Sequence, residues 1–231
     1  MRLVFILIAF LLASREVASA IGLRVTGHNG KAIGLENQAA AQMKKGDFEG
    51  ARKSLDEALR LDAKLWTAYW QRADLDMVQH KWELAAYDAG MALHGGPLLM
   101  KCAIIRATAN TELRKYDVAL AEFDHLIGLA PSEDAYPYVL GMAAWIRATC
   151  PDSRYRNGKV ALEQAKHACK LTLYKDPRYL EILAASQAKN GDFESALTSE
   201  EKAIALEKDP KTVKRLQEEM SFFKQRKPIR L

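Results

Sequence analysis

The chain has 231 residues, of which 49% are hydrophobic and 27% are charged, so it can bury a core and is neither a disordered nor a collagen-like protein. The formal net charge is +5, and the residues from 207 onward hold eight Lys and Arg against four Asp and Glu, a net charge of +4. The remainder is nearly neutral, which argues against nucleic acid as a partner.

The first 20 residues have the pattern of an export signal. Arg2 precedes an apolar run from Leu3 to Leu12, and Ala18-Ser19-Ala20 places small residues where a signal peptidase cleaves. Ten apolar residues are too few to span a bilayer, which takes roughly 20. We therefore expect a signal peptide (1–20), a lead-in (21–31) and a mature periplasmic or secreted protein without a transmembrane segment. The alternative is an uncleaved signal that tethers the chain to the membrane.

The next part of the chain repeats every 34 residues. Phe48, Trp82 and Tyr116 keep this spacing, and an alanine follows three residues after each of them. Seven residues further on stand Ala58, Ala92 and Leu126. The pattern returns late in the chain at Gly191-Asp192-Phe193, Ala196 and Ala203. Such a period is the mark of a repeat architecture.

The composition of each repeat predicts two short helices joined by a tight turn. Alanines suit the points where two helix backbones approach closely, and an aromatic residue fills the wedge between the helices. Lys45-Gly46-Asp47-Phe48 and Asn190-Gly191-Asp192-Phe193 supply turn residues, and each aspartate is placed to cap the second helix. Strand-like alternation is missing, so the fold is predicted to be all-α.

These features resemble the tetratricopeptide repeat (TPR) family, whose unit is a 34-residue helix-turn-helix. The resemblance implies a solenoid of about five helix pairs closed by a C-terminal capping helix. We place the array at 32–210, with units near 32–65, 66–99, 100–133, 134–176 and 177–210. Residues 211–231 form the capping helix and a basic tail, because Val213, Leu216, Met220 and Phe223 recur at helical spacing.

The fourth unit is eight residues longer than the period. The extra residues fall around Cys150-Pro151-Asp152-Ser153, a sequence typical of a loop. The stretch from Arg147 to Lys159 and the following segments to about residue 227 are similar to exported TPR proteins of planctomycete-type bacteria. That similarity implies a bacterial exported repeat protein and carries no assigned activity.

No catalytic or metal-binding pattern is present in the sequence. The five histidines lack the HExxH spacing, and GxSxG, Walker and GxGxxG motifs are missing. Asp74 and Asp76 are two residues apart, so on a helix they do not face the same way. We therefore expect no enzyme activity and no cofactor.

The three cysteines are an odd number for an exported protein. Cys150 and Cys169 flank the predicted insertion, and a bond between them would close a loop of about 20 residues, worth on the order of 3 kcal/mol. The alternative is a pair of small, buried apolar side chains. Cys102 is expected to be a packed free thiol.

The resemblance also implies a concave groove lined by the first helix of each unit. Transferring the family's groove positions gives ten residues: Trp70, Asp74, Met77, Lys101, Ile104, Thr108, Tyr138, Met142, Trp145 and Glu181. Six of them are apolar or aromatic, which in a solvent-facing strip marks an interaction site. The alternative is that some of them pack inside the array.

We therefore expect an exported scaffold or adaptor that binds a peptide or protein segment in this groove. The carboxylate clamp of chaperone-tail-binding members is poorly matched, because its positions hold Glu36, Ala40, Gln71, Lys101 and Ile105 and only Lys101 agrees. Two alternatives remain: a self-assembling structural repeat protein, or a non-catalytic accessory subunit of an envelope enzyme.

Overall fold

The computed structural model describes residues 28–95, 99–129 and 135–230, and the predicted signal peptide lies outside these ranges. Every regular element within them is helical, with no strand. The α-helices are α1 (Gly30–Lys44), α2 (Phe48–Leu61), α3 (Trp66–Val78), α4 (Trp82–Ala92), α5 (Leu99–Glu112), α6 (Tyr116–Gly128), α7 (Tyr136–Thr149), α8 (Gly158–Leu171), α9 (Pro177–Lys189), α10 (Phe193–Leu206) and α11 (Pro210–Lys224). Five helix pairs and a final helix thus confirm the predicted all-α repeat fold for the described residues.

The chain forms two compact blocks, an N-terminal block (Met1–Ala119) and a C-terminal block (Leu120–Leu231). In the N-terminal block α1 packs on α2 and α3 on α4, and α5 contacts both α3 and α4. In the C-terminal block α7 packs on α8 and α9 on α10, while α9 also contacts α7 and α8, and α11 lies against α10. Each helix pair therefore covers an apolar face of its neighbour within the block.

Alanines lie at the helix contacts, as the repeat pattern predicts. The alanines three residues after the repeated aromatic, Ala51, Ala85, Ala119 and Ala196, are completely buried. A larger side chain at these positions would force the two helices apart, because protein interiors have no room for extra methylenes.

The turn between the two helices of a repeat needs a left-handed residue. Gly46 (φ 79°) and Gly191 (φ 84°) meet this need without strain, whereas His80 (φ 58°) and Arg114 (φ 59°) hold the same position with a side chain. Asp47 and Asp192 then cap the second helix, as predicted, each accepting a hydrogen bond from the backbone N–H three residues on.

The insertion between α7 and α8 is folded. It contains a single 3₁₀ turn, Ser153–Tyr155, whose start is capped by the carboxylate of Asp152. Asn157 ends the segment: its backbone N–H donates to the Arg147 carbonyl (3.0 Å), and its side chain caps α8 through the Val160 N–H (3.2 Å).

A buried carboxyl group links α1 to α3. Glu36 is 8% exposed, and its Oε1 accepts a hydrogen bond of 2.8 Å from Nε2 of Gln71. Burial raises the pKa of Glu36, and the hydrogen bonds from Thr67 and Gln71 only partly offset that rise. The folded N-terminal block therefore favours the protonated form of this carboxyl group.

Substituting the strained turn residue tests the backbone argument. We expect Arg114→Gly to raise the free energy of unfolding by about 0.5–1 kcal/mol, because glycine removes the left-handed strain of an exposed residue. Gly191→Ala, at a position with open space around a new Cβ, should lower it by about 1 kcal/mol. Urea denaturation of each variant measures both changes.

Lys45→Gly is the control: Lys45 has a φ of −86°, so glycine there should only destabilise. Equal losses in Arg114→Gly and Lys45→Gly would contradict the argument.

Glu36→Gln tests the buried carboxyl group by its pH dependence. Because the pKa of Glu36 is higher in the folded chain than in the unfolded chain, wild-type stability falls as the pH rises above the unfolded value of about 4.5. Glutamine keeps the hydrogen-bond acceptor and has no such loss. The Tm of the variant minus that of wild type should therefore increase from pH 4 to pH 7. A difference that is constant over this range, measured by circular dichroism melting, would show that the carboxyl group titrates normally.

Candidate functional site

The predicted groove residues all lie on the first helices of the repeats. They are distributed as follows: Trp70, Asp74 and Met77 on α3, Lys101, Ile104 and Thr108 on α5, Tyr138, Met142 and Trp145 on α7, and Glu181 on α9. The helices α3 and α5 belong to the N-terminal block, and α7 and α9 belong to the C-terminal block.

In the N-terminal block, α3 and α5 bring an aromatic ring and a cation together. Nζ of Lys101 lies 5.7 Å from the centre of the Trp70 ring, within the range of a cation–π interaction. Burial lowers the pKa of Lys101, while the negative charge of Asp74 acts in the opposite direction. Trp70, Asp74 and Lys101 therefore form a polar and aromatic cluster in which Trp70 and Asp74 are buried and Lys101 is half-buried.

The other predicted groove residues of this block are part of the core. Met77, Ile104 and Thr108 are at most 1% exposed, and the Thr108 hydroxyl donates to the carbonyl of Ile104 (2.8 Å). The prediction that they face solvent is therefore wrong. Their helices have neighbours on more than one side, since α3 packs on both α4 and α5.

The aromatic residues of α7 are buried as well. Tyr138, Met142 and Trp145 are at most 2% exposed, on a helix in which nearly every residue is buried. The described residues therefore contain no open apolar strip at the predicted positions. The groove was predicted because these apolar side chains were expected to face solvent, and they do not. Their role in binding stays a prediction.

Two of the buried tryptophans lack a hydrogen-bond partner. The indole Nε1 atoms of Trp70 and Trp145 are inaccessible to water, and neither donates to any acceptor in the described part of the chain. An unmade bond of a buried donor costs about 1–3 kcal/mol. Of the four tryptophans in the sequence, these are the two that the groove assignment selects, one in each block.

Glu181 is already engaged by the last helix. Arg215 of α11 donates to both carboxylate oxygens of Glu181, at 2.6 Å and 2.9 Å, and also to Glu219 at 2.8 Å. Glu181 and Arg215 are 34 residues apart, which is the repeat period. The last helix therefore lies as the first helix of a further repeat would, and its arginine neutralises the predicted groove carboxylate.

Glu36 and Gln71 form a polar contact that the groove assignment missed. The sequence indicated only that these two positions do not fit a carboxylate clamp. In the structure Gln71 of α3 donates a hydrogen bond to Glu36 of α1. The remaining acceptor, Oε1 of Gln71, is buried and has no partner among the described residues. A pairing of residues 35 apart, one more than the period, could have suggested this contact from the sequence.

The cysteines are free thiols, so of the two alternatives for Cys150 and Cys169 the structure has the pair of small, buried side chains. All three are buried, and the Cys169 thiol donates instead to the carbonyl of Tyr179 (3.2 Å). Burial raises the pKa of Cys102 and of Cys169 to about 12, and burial also raises the pKa of Cys150. These thiols are therefore protonated at neutral pH and behave as small apolar groups.

Other site types find no support within the described ranges. They contain no group of three or more His, Cys, Asp or Glu residues arranged to hold a metal ion. None of the helices between residues 28 and 230 is long and apolar enough to cross a membrane.

The chain resembles solved structures in fold while differing from them in sequence. It matches YrrB, a TPR protein described as having an unusual peptide-binding site, with a TM-score of 0.62 and 19% identity over 91% of this chain and 98% of YrrB. MamA from Desulfovibrio magneticus RS-1 matches with a TM-score of 0.64 and 18% identity, over 78% of this chain and 97% of that structure. Yeast Tom70 matches with a TM-score of 0.60 and 18% identity, over 83% of this chain and 39% of Tom70.

No protein-family model matches the sequence, and neither does any curated protein. At this level of identity the structural matches establish architecture and leave the ligand open. The repeat spacing, the helix pairs and the structural neighbours agree, and the fold of this chain is that of the tetratricopeptide repeat proteins.

Proposed function

We propose that this protein is a non-catalytic scaffold that binds a segment of another protein through the first helices of its repeats. The observation that carries the proposal is the pair of buried indole N–H groups of Trp70 and Trp145 without acceptors. A peptide backbone offers carbonyl oxygens in abundance, so a bound segment could supply the missing acceptor within either block. The peptide-binding site of YrrB, a protein of the same fold, is consistent with this role.

Binding at these positions requires a local opening. Both indole N–H groups are inaccessible in the free chain, so a ligand reaches them only if the surrounding side chains move. Within each block the unmade hydrogen bond makes that opening less costly, because the closed state already lacks a bond that the bound state can form. The proposed site is thus closed in the free protein and opens with its ligand.

The side chains around Trp70 indicate what the segment would contain. Lys101 and Asp74 lie near this tryptophan, so a bound segment could place a negatively or a positively charged group against them. A C-terminal carboxylate held by a clamp fits poorly, because Glu36 is bonded to Gln71 and Ile105 is fully buried. An apolar or extended segment, which would meet the buried apolar residues once the helices open, is the better match.

We further propose that the protein acts outside the cytoplasm. The support is the apolar run and the Ala18-Ser19-Ala20 sequence near the start of the chain. The scaffold would then be periplasmic or secreted, or membrane-tethered if the signal is retained. Nucleic acid is not expected as a partner.

Conservative tryptophan substitutions test the binding proposal. Peptides selected from a random display library against the purified protein serve as probes, and fluorescence anisotropy of labelled peptides gives the Kd. Trp70→Phe and Trp145→Phe keep the aromatic ring and remove the N–H donor. Each should weaken binding by about five- to tenfold, the effect of losing roughly one hydrogen bond.

Trp82→Phe is the matched control, because Trp82 begins a second helix and lies against His80, away from the predicted groove positions. It should leave the Kd unchanged. Equal losses in all three variants would show that tryptophan removal weakens binding through the fold alone. Failure to select any binding peptide would remove the proposal.

Export is tested by the chain's first residue in the cell. If the signal is cleaved, N-terminal sequencing of the protein recovered from the envelope or medium should begin at Ile21, and Ala20→Asp should block the processing. An intact Met1 in a membrane fraction would favour the tethered form. A full-length chain confined to the cytoplasm would contradict export.

A further inference from the structure

The inserted loop of the C-terminal block holds one arginine in a fixed place. Nη1 of Arg156 donates to the carbonyls of Cys150 (2.9 Å) and Pro151 (2.7 Å). Both acceptors belong to the extra residues that lengthen the fourth repeat. The loop is therefore wrapped around the guanidinium of Arg156, whose other nitrogens make no hydrogen bond within the described residues.

A lysine is brought to the same place by α9. The Asn190 side chain, just after α9, donates to the carbonyl of Gly158, the first residue of α8 (2.7 Å), and to Ser186 (2.7 Å). The end of α9 therefore lies against the start of α8. Lys189 directly precedes Asn190, and Arg156 stands two residues before Gly158.

The C-terminal segment adds a third cation and is anchored by one buried side chain, although most of its residues are exposed. Ile229 is 6% exposed, and the guanidinium of Arg226 lies 5.4 Å from the centre of the Phe193 ring. Because Phe193 is the first residue of α10, this anchoring places the C-terminal segment at the turn that follows the end of α9. The predicted basic tail is therefore part of the folded C-terminal block up to residue 230.

The three cations repel one another. Burial lowers the pKa of Lys189, and the charges of Arg230 and Arg156 lower it further. Burial likewise lowers the pKa of Arg230, and Arg156 adds to the effect. In the described ranges none of the three forms an ion pair. Asp152, whose pKa is lowered in part by the charge of Arg156, accepts hydrogen bonds on Oδ2 from Nη2 (2.7 Å) and Nε (2.9 Å) of Arg154.

We propose that Arg156, Lys189 and Arg230 form a binding site for a phosphate-type oxyanion. Three positive charges that form no ion pair within the described residues suit a compact anion that carries two negative charges. Arginine forks and a lysine ammonium are the usual donors to such groups. The start of α8, whose helix dipole favours negative charge, lies at the same edge. The phosphate is either free in solution or attached to a protein segment.

This site is independent of the proposed peptide groove. It uses the insertion, the end of α9 and the C-terminal segment, none of which contributes a predicted groove residue. It also gives the eight inserted residues a role, because they position Arg156. If phosphate does not bind, the peptide-binding test with the tryptophan variants is unaffected. If no peptide binds, the phosphate test is likewise unaffected.

Thermal melting and isothermal titration of the full chain with inorganic phosphate test the proposal. Phosphate should raise the Tm more than chloride at equal ionic strength, because it binds the folded state alone. Lys189→Gln and Arg230→Gln should each weaken phosphate binding by about tenfold. Lys170→Gln, at an exposed lysine of α8, is the control and should bind as wild type does.

The same variants have a second readout that a merely structural role would not produce. Without phosphate and at low salt, Lys189→Gln and Arg230→Gln should melt at a higher temperature than wild type, because the repulsion is relieved. Lys170→Gln should not. Equal stabilisation by phosphate and chloride, or equal phosphate affinity in Lys189→Gln and wild type, would overturn the proposal.

A phosphoserine peptide distinguishes the two sources of the anion. Tighter binding of the peptide than of inorganic phosphate, lost in Lys189→Gln, would assign the site to a phosphorylated partner. Equal affinities, both lost in the variant, would assign it to the free anion. Binding of the peptide that survives Lys189→Gln would contradict the site.

Discussion

The close approach of two helices at a buried alanine is the contact on which each repeat depends. A two-helix hairpin of this length cannot bury enough apolar surface to be stable alone, so it must offer a flat, tightly packed face to the next pair. Ala51, Ala85, Ala119 and Ala196 lie fully buried at equivalent positions. In each of these repeats the aromatic residue lies three residues before the alanine, and the left-handed turn residue lies two residues before the aromatic residue. In the first and last repeats an aspartate stands between them and caps the second helix.

The same constraint explains why the first helices are so thoroughly buried. A helix that packs against its own partner and against the next pair has little surface left to expose. On α7 this includes large side chains such as Trp145 and Tyr138, which are at most 2% exposed. Exposing these side chains would therefore require packed residues to move apart, and unmade hydrogen bonds mark where such a change costs least.

The period of the sequence predicted the fold well, because it reports a contact repeated in every unit. The all-helical repeat and the caps at Asp47 and Asp192 follow from local residue chemistry and are confirmed. Side-chain exposure could not be predicted in the same way. Adjacent residues of an α-helix point about 100° apart, so an assignment shifted by one position turns a solvent-facing residue into a core residue. Met77 and Ile104 show the consequence.

Contacts between distant residues were the other part that the sequence did not reveal. Pairing of Cys150 with Cys169 depended on a distance that spacing cannot supply, and the Cys169 thiol donates to Tyr179 instead. The ion pair of Glu181 with Arg215 lies one period apart and was in principle visible, but it required recognising the last helix as a first-helix equivalent. The cluster of Arg156, Lys189 and Arg230 joins three separate segments, and only the folded chain brings them together.

The proposed function rests on the buried indole N–H groups of Trp70 and Trp145, which have no acceptor within the described residues. It is tested most directly by the ¹H–¹⁵N NMR spectrum of the four tryptophan indoles, recorded without and with a selected peptide. We expect the Trp70 and Trp145 indole protons to resonate upfield and to exchange slowly with water in the free protein, and to shift downfield when peptide binds. Rapid exchange of these two protons with water in the free protein, or peptide shifts confined to Trp66 and Trp82, would contradict it.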